Sequence, residues 1–215
     1  MSKKIKVKSW KKAIVVGTLT ASLGLGFWAS KAFYTVTSVF DGDTFATSEK
    51  QYIRLDSVNA PEPDSCLGKE AKAELAKLVL NKKVFIKVTY IDGMRLIASV
   101  YTLQGNVGEI MLSKGLATFE DKGTQKGNGL LETSNKARDA KIGVYSPVCT
   151  QTENPLNPKC NIKGNINTSN SKKYYRYPGC KYYPITLIQL HLGDKWFCTE
   201  AEAQKAGFTK GGDCN

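Results

Sequence analysis

Val39-Phe40-Asp41-Gly42-Asp43-Thr44-Phe45, followed by Ile53-Arg54-Leu55 and then by Asn59-Ala60-Pro61-Glu62, is the stretch on which the reading of this chain turns. Asp-Gly between β-branched and aromatic residues is a hairpin signal, so two strands are expected to meet there. Tyr34–Phe40, Thr44–Ser48 and Gln51–Val58 read as successive strands. The same residues carry chemistry. A carboxylate, a guanidinium and a second carboxylate fall within about twenty positions on adjacent strands. Such a set suits metal-assisted attack on a phosphodiester. The metal takes hard oxygen ligands, a planar cation offsets charge building on phosphorus, and a carboxylate orients or deprotonates the attacking water.

Working outward, Val84–Tyr90 and Leu96–Leu103 supply two further strands, with Asp92-Gly93-Met94-Arg95 between them. Five strands joined by turns are enough for a small closed barrel. Gly68–Leu80 places Ala71, Leu75, Leu78 and Val79 on one helical face. Asn106–Lys114 and Leu130–Ile142 are two more helices, each followed by a glycine stop, Gly115 and Gly143. The expected fold class is α+β: an OB-type five-stranded β-barrel with about three helices, followed by a small Cys-stapled module.

The ordered set Asp41-Gly42-Asp43-Thr44, Arg54-Leu55, Asn59-Ala60-Pro61-Glu62 and Gly93-Met94-Arg95 resembles the staphylococcal (micrococcal) nuclease family, also called thermonuclease-like. The resemblance runs from about Phe33 to Ser146. It implies an OB-type fold, a Ca²⁺ cofactor, a DNA or RNA substrate and phosphodiester hydrolysis of low sequence specificity. By the same resemblance, Asp43, Asn59 and the Ala60 carbonyl match the metal-binding positions. Arg54, Glu62 and Arg95 match the catalytic ones. Asn59 departs from the family, which usually has an aspartate there; an amide oxygen still coordinates calcium but brings no charge. The nucleotide-stacking tyrosines of the family follow the second helix, where this chain has Phe119-Glu120-Asp121, a poor match. These departures leave open a second reading, a catalytically degenerate nuclease fold that binds nucleic acid or a surface polymer.

The chain has 215 residues, 41% of them hydrophobic, which suits a globular protein rather than a disordered one. A formal net charge of +12 invites a nucleic-acid reading, but its distribution weakens that inference. Residues 1–32 hold seven lysines and no acids, +7; residues 33–147 hold 15 bases and 14 acids, +1; residues 148–215 hold nine bases and five acids, +4. Most of the excess therefore lies in the leader. There, six lysines before an apolar run from Ala13 to Ala29 have the layout of a secretory signal, with Ser30-Lys31-Ala32 offering a cleavage site before Phe33. An uncleaved membrane anchor is the alternative, since the run is at the lower limit for spanning a bilayer. Either way the body is expected outside the cytoplasm, and a monomer is expected.

Six cysteines, Cys66, Cys149, Cys160, Cys180, Cys198 and Cys214, suit disulfides in an exported chain. If each unit closes on itself, Cys66 pairs with Cys149, and a nested arrangement pairs Cys180 with Cys198 and Cys160 with Cys214. Cys149–Cys160 is a rival. Residues 148–173 have linker composition, rich in Asn, Pro, Thr and Ser. Residues 174–215 turn aromatic again, with Thr199 as an expected N-cap and Glu202 completing a capping box. This tail looks like the small Cys-containing module that often follows nucleases of this family. A zinc module is a weaker likeness, because Cys-x-x-Cys spacing is missing. His191, the one histidine, sits among apolar residues and reads as structural.

Overall fold

The computed structural model describes residues 33–121 and 129–214. The expected leader and its cleavage site lie outside them. Strands β1 (Phe33–Val39), β2 (Thr44–Thr47) and β3 (Tyr52–Leu55) form the antiparallel run that the Asp-Gly signal predicts. A short β4 (Val58–Asn59) leads to α1 (Gly68–Val79), and β5 (Lys83–Asp92) and β6 (Arg95–Thr102) make a long hairpin. β7 (Gly105–Asn106) adds to β6, α2 (Val107–Ser113) follows, and β8 (Thr118–Phe119) pairs with β4. α3 (Leu130–Asp139) completes the body.

In the large sheet β3, β2, β1, β5 and β6 are neighbours in that order, and β3 also pairs with β6 in parallel. Five strands thus close into a ring, as the sequence leads one to expect. The ring is filled by one apolar cluster including Val36, Phe45, Ile53, Val84 and Val100. The apolar stripe of α1 covers it with Ala71, Leu75, Leu78 and Val79, all buried. Val107, Met111 and Leu112 of α2 join the same cluster. Alternation along β3 and β6 turns one set of side chains into this core and the other set outward.

The tail departs from expectation in two respects. The linker reading of 148–173 does not hold for its second half. After β9 (Thr150–Gln151), β10 (Ile162–Ile166) is an inner strand of a four-stranded sheet in the order β13 (Lys195–Phe197), β10, β11 (Lys173–Arg176), β14 (Thr209–Lys210). Polar composition hid a strand whose partners come from later sequence. The nested cysteine pairing is also wrong, and so is its Cys149–Cys160 rival. Cys66–Cys149 forms as expected, but the tail is closed by Cys160–Cys198 and Cys180–Cys214. The sheet explains this. Cys160 precedes β10 and Cys198 follows β13, and these strands are antiparallel with Ile162 opposite Phe197, so the two thiols meet at one end. Cys180 and Cys214 both lie beyond the parallel pair β11 and β14. With every cysteine in a disulfide, no thiolate remains for zinc. Thr199 caps α4 (Glu200–Lys205) as expected, while Glu202 bonds back to the Cys198 amide.

The two units are joined by more than chain continuity. β12 (Ile188–Gln189) pairs with β9, which directly follows Cys149. Trp196 Nε1 donates to Gln151 Oε1 at 2.7 Å.

Candidate active site

The β1–β2 turn is both a hairpin and a cradle. Asp41 Oδ1 accepts from the amides of Asp43 and Thr44 at 2.9 and 2.7 Å, fixing the loop. Gly42 is buried against the strand exit and α1; a Cβ there would lie 2.6 Å from the Cβ atoms of both Ala60 and Ala71. Glycine is therefore required for the turn to approach Ala60. That approach lets the Ala60 amide donate to Asp43 Oδ2 at 2.8 Å. Thr44 Oγ1 donates to Asp43 Oδ1 at 2.8 Å. Asp43 is only 2% exposed. Burial pushes its carboxyl up to about 6, against the pull of the Arg54 guanidinium.

Arg54 is opposite Thr44 on β3. Its Nη1 forms an ion pair with Asp43 Oδ1, and its Nη2 donates to Asn59 Oδ1 at 2.9 Å. One guanidinium fork thus grips two of the expected metal positions. The parallel pairing of β3 with β6 sets Tyr52 opposite Arg95 and Arg54 opposite Ile97, so both arginines lie on the outward face of the ring closure. Arg95 pairs with Asp92 at 2.8 Å across the β5–β6 turn. Glu62 sits on the exposed loop leading to α1. The Ser65 amide donates to the Glu62 carbonyl, and the adjacent Cys66 is covalently held to Cys149. Gly68 packs against the same loop, where a Cβ would come within 1.9 Å of the Glu62 carbonyl oxygen.

A cavity of about 360 Å³ gathers Arg54, Asn59, Glu62 and Arg95, together with Asp92 and Glu120. Asp43 and Ala60 stand behind Arg54 and Asn59 rather than in the lining. Asp92 and Glu120 were missed from sequence. Asp92 was legible as the residue facing Arg95 across a two-residue turn; Glu120 was not, because its place depends on β8 pairing with β4. Asp56, the other nearby acid, is buried and accepts from Ser57 Oγ at 3.1 Å; it does not line the cavity.

Among the described residues, no group of three or more His, Cys, Asp or Glu side chains gathers to hold a metal. Asp43, Asn59 and the Ala60 carbonyl are hard oxygen donors, so the set suits calcium in kind. It carries one formal charge, where calcium affinity is tuned by the number of charged ligands, and both side chains are held by Arg54.

Fold and cavity together define a small OB-type domain with an arginine- and carboxylate-lined site on its ring closure. Residues 52–147, a little under half of the chain, match the family described as Staphylococcal nuclease homologue. Similar proteins include the staphylococcal-like nuclease CAN1 of Arabidopsis thaliana, 32% identical over 112 residues covering 52% of this chain and 33% of that one. The protein named Probable endonuclease LCL3 of Verticillium alfalfae is 30% identical over 141 residues, covering 58% and 49%. The match to a 38.1 kDa protein of Capnoides sempervirens is 35% over 115 residues, covering 52% and 31%. The matches therefore span between about a third and a half of each relative.

Proposed function

We propose that the protein is an exported, calcium-dependent nuclease that hydrolyses phosphodiester bonds of DNA or RNA with low sequence specificity. The observation that carries this is the single cavity lined by Arg54, Glu62 and Arg95. Glu62 orients or deprotonates a water for in-line attack on phosphorus. Arg54 and Arg95 offset the charge that develops on the phosphoryl oxygens, and their forks suit a phosphate as a point cation does not. Asp43, Asn59 and the Ala60 carbonyl are the residues to hold calcium, which when bound adds positive charge beside the scissile group. Groups aimed at phosphate rather than at base edges give little sequence preference. Export is supported by the three disulfides, which persist in oxidising compartments. Among the described residues no helix is long and apolar enough to cross a membrane.

The test is turnover of single-stranded DNA with calcium or with chelator. Cleavage is expected only with calcium, and Glu62→Gln is expected to lower turnover about 10²–10⁴-fold while binding changes little. Equal losses in turnover and binding would show that the role of Glu62 is wrong. A second reading, a nuclease fold whose catalysis has lapsed, is favoured by neutral Asn59 lying under the Arg54 fork. Activity that appears only in Asn59→Asp would establish it.

A further inference from the structure

A second cavity, of about 590 Å³, lies beside the first and shares Asn59 and Glu120 with it. One wall belongs to the body and the other to the tail. On the body side stand Phe119, Tyr145 and Arg138. They are held firmly. β8 pairs with β4, Ser134 Oγ accepts from the Phe119 amide at 3.3 Å, and the same hydroxyl bonds Tyr145 OH at 2.8 Å. The exposed Arg138 guanidinium lies 5.2 Å from the Tyr145 ring centroid. On the tail side stand Ser169, Gln189 and His191. Among the described residues, Nδ1 of His191 is buried and makes no hydrogen bond. This wall is fixed to the body by the pairing of β12 with β9, where Gln189 faces Thr150, and Thr150 Oγ1 donates to the Val144 carbonyl at 2.7 Å.

We propose that this second cavity is a subsite for a nucleotide flanking the scissile bond of a single-stranded substrate, and that the tail completes it. The inference rests on the nuclease reading above. Its own support is the chemistry of the two walls. An arginine backed by a tyrosine presents a flat cation that stacks on a base or forks onto a phosphate. The opposite wall offers hydroxyl, amide and imidazole groups, which hydrogen-bond to base edges and sugar. Continuity through Asn59 and Glu120 lets one strand run from the first cavity into the second. The neutral composition of the body agrees with a grip made by a few placed groups rather than by a broad basic face.

The experiment is fluorescence anisotropy of the full chain with labelled phosphorothioate oligothymidylates of two and six nucleotides, at one fixed salt concentration. The six-mer is expected to bind more tightly. Arg138→Ala and Gln189→Ala, one on each wall, are each expected to lower the six-to-two affinity ratio about five- to tenfold. Arg138→Lys is expected to recover only part of the loss, since it keeps the charge but not the plane. An unchanged ratio in both alanine variants, or a wild type that binds both lengths equally, overturns the proposal. Loss confined to Arg138→Ala overturns the part assigned to the tail. A wild type that cleaves nothing yet shows the expected ratios would sink the hydrolase reading and leave the subsite standing.

Discussion

The body and the tail reach a folded state by different means. Among the described residues of the body one continuous apolar cluster of eighteen buried residues fills the strand ring and the faces of its helices. The corresponding cluster in the tail has five, Ile162, Tyr175, Phe197, Ala203 and Phe208. Its interior is partly polar. Lys163 is 2% exposed, donates to the Tyr183 and Thr186 carbonyls at 3.1 and 2.8 Å, and lies 4.3 Å from the Tyr183 ring centroid; burial lowers its pKa. Asp194 is also buried, with its carboxylate accepting from Ile166 N, Gln189 N and Asn165 Nδ2. Burying such groups repays little beyond specificity, so the tail needs its two disulfides where the body needs none inside its core. A small unit with few buried apolar side chains depends on covalent closure, and a larger one on area removed from water.

The sharpest way to break this contrast is to remove Cys160–Cys198 and Cys180–Cys214 by replacing all four cysteines with serine. Their sequence separations are 38 and 34 residues, and loops of that size are each worth about 4 kcal/mol in the chain-entropy account. Together, at about 8 kcal/mol, they are comparable with what five buried apolar side chains supply at about 1.5–3 kcal/mol each. The tail amides are expected to collapse to unfolded NMR positions while the body keeps its cooperative urea transition. Persistence of dispersed tail signals would refute the dependence on staples.

Leu75→Ala is the complementary probe. Leu75 is fully buried in the body, and truncation is expected to cost about 2–5 kcal/mol, read as a shift of the urea midpoint of the body. If the tail resonances melted at the same midpoint, the two units would be one cooperative block and the contrast would fail.

The smallest effect concerns His191, whose pKa burial pushes down to about 4. The unfolded chain takes up a proton near pH 6.5, whereas the folded tail resists until about pH 4. The stability from keeping this ring neutral is thus fully present above 6.5 and lost as pH falls towards 4. The expected loss is up to about 3 kcal/mol. Denaturation of the tail between pH 7 and pH 4 measures it, and His191→Gln is expected to flatten the profile. A tail transition in the native protein that does not move with pH would contradict the assigned burial cost.

Local sequence carried much of the body. The Asp-Gly turn, the β-branched strands and the stripe of α1, like the Thr199 cap in the tail, each depend on neighbours within a few positions, and each forms where the letters place it. The identities of the candidate site residues were legible for the same reason, since Asp43, Arg54, Glu62 and Arg95 stand in recognisable local settings. The tail was far less legible. Ile162–Ile166 has no strong strand signature, and a glycine at 164 suits it only because Phe197 and Phe208 crowd that point.

What the chain determined unaided is therefore its hairpins, its helices, and the donor and cation types available for chemistry. Those follow from backbone preference and side-chain periodicity, which act over a few residues. Tertiary structure decided the parallel closure of β3 on β6 that brings Arg54 and Arg95 to one face, the pairing of four tail cysteines, and the fork of Arg54 over Asp43 and Asn59. Contacts of that kind join residues far apart along the chain, and which ones meet is fixed only when the sheets and the core choose a register.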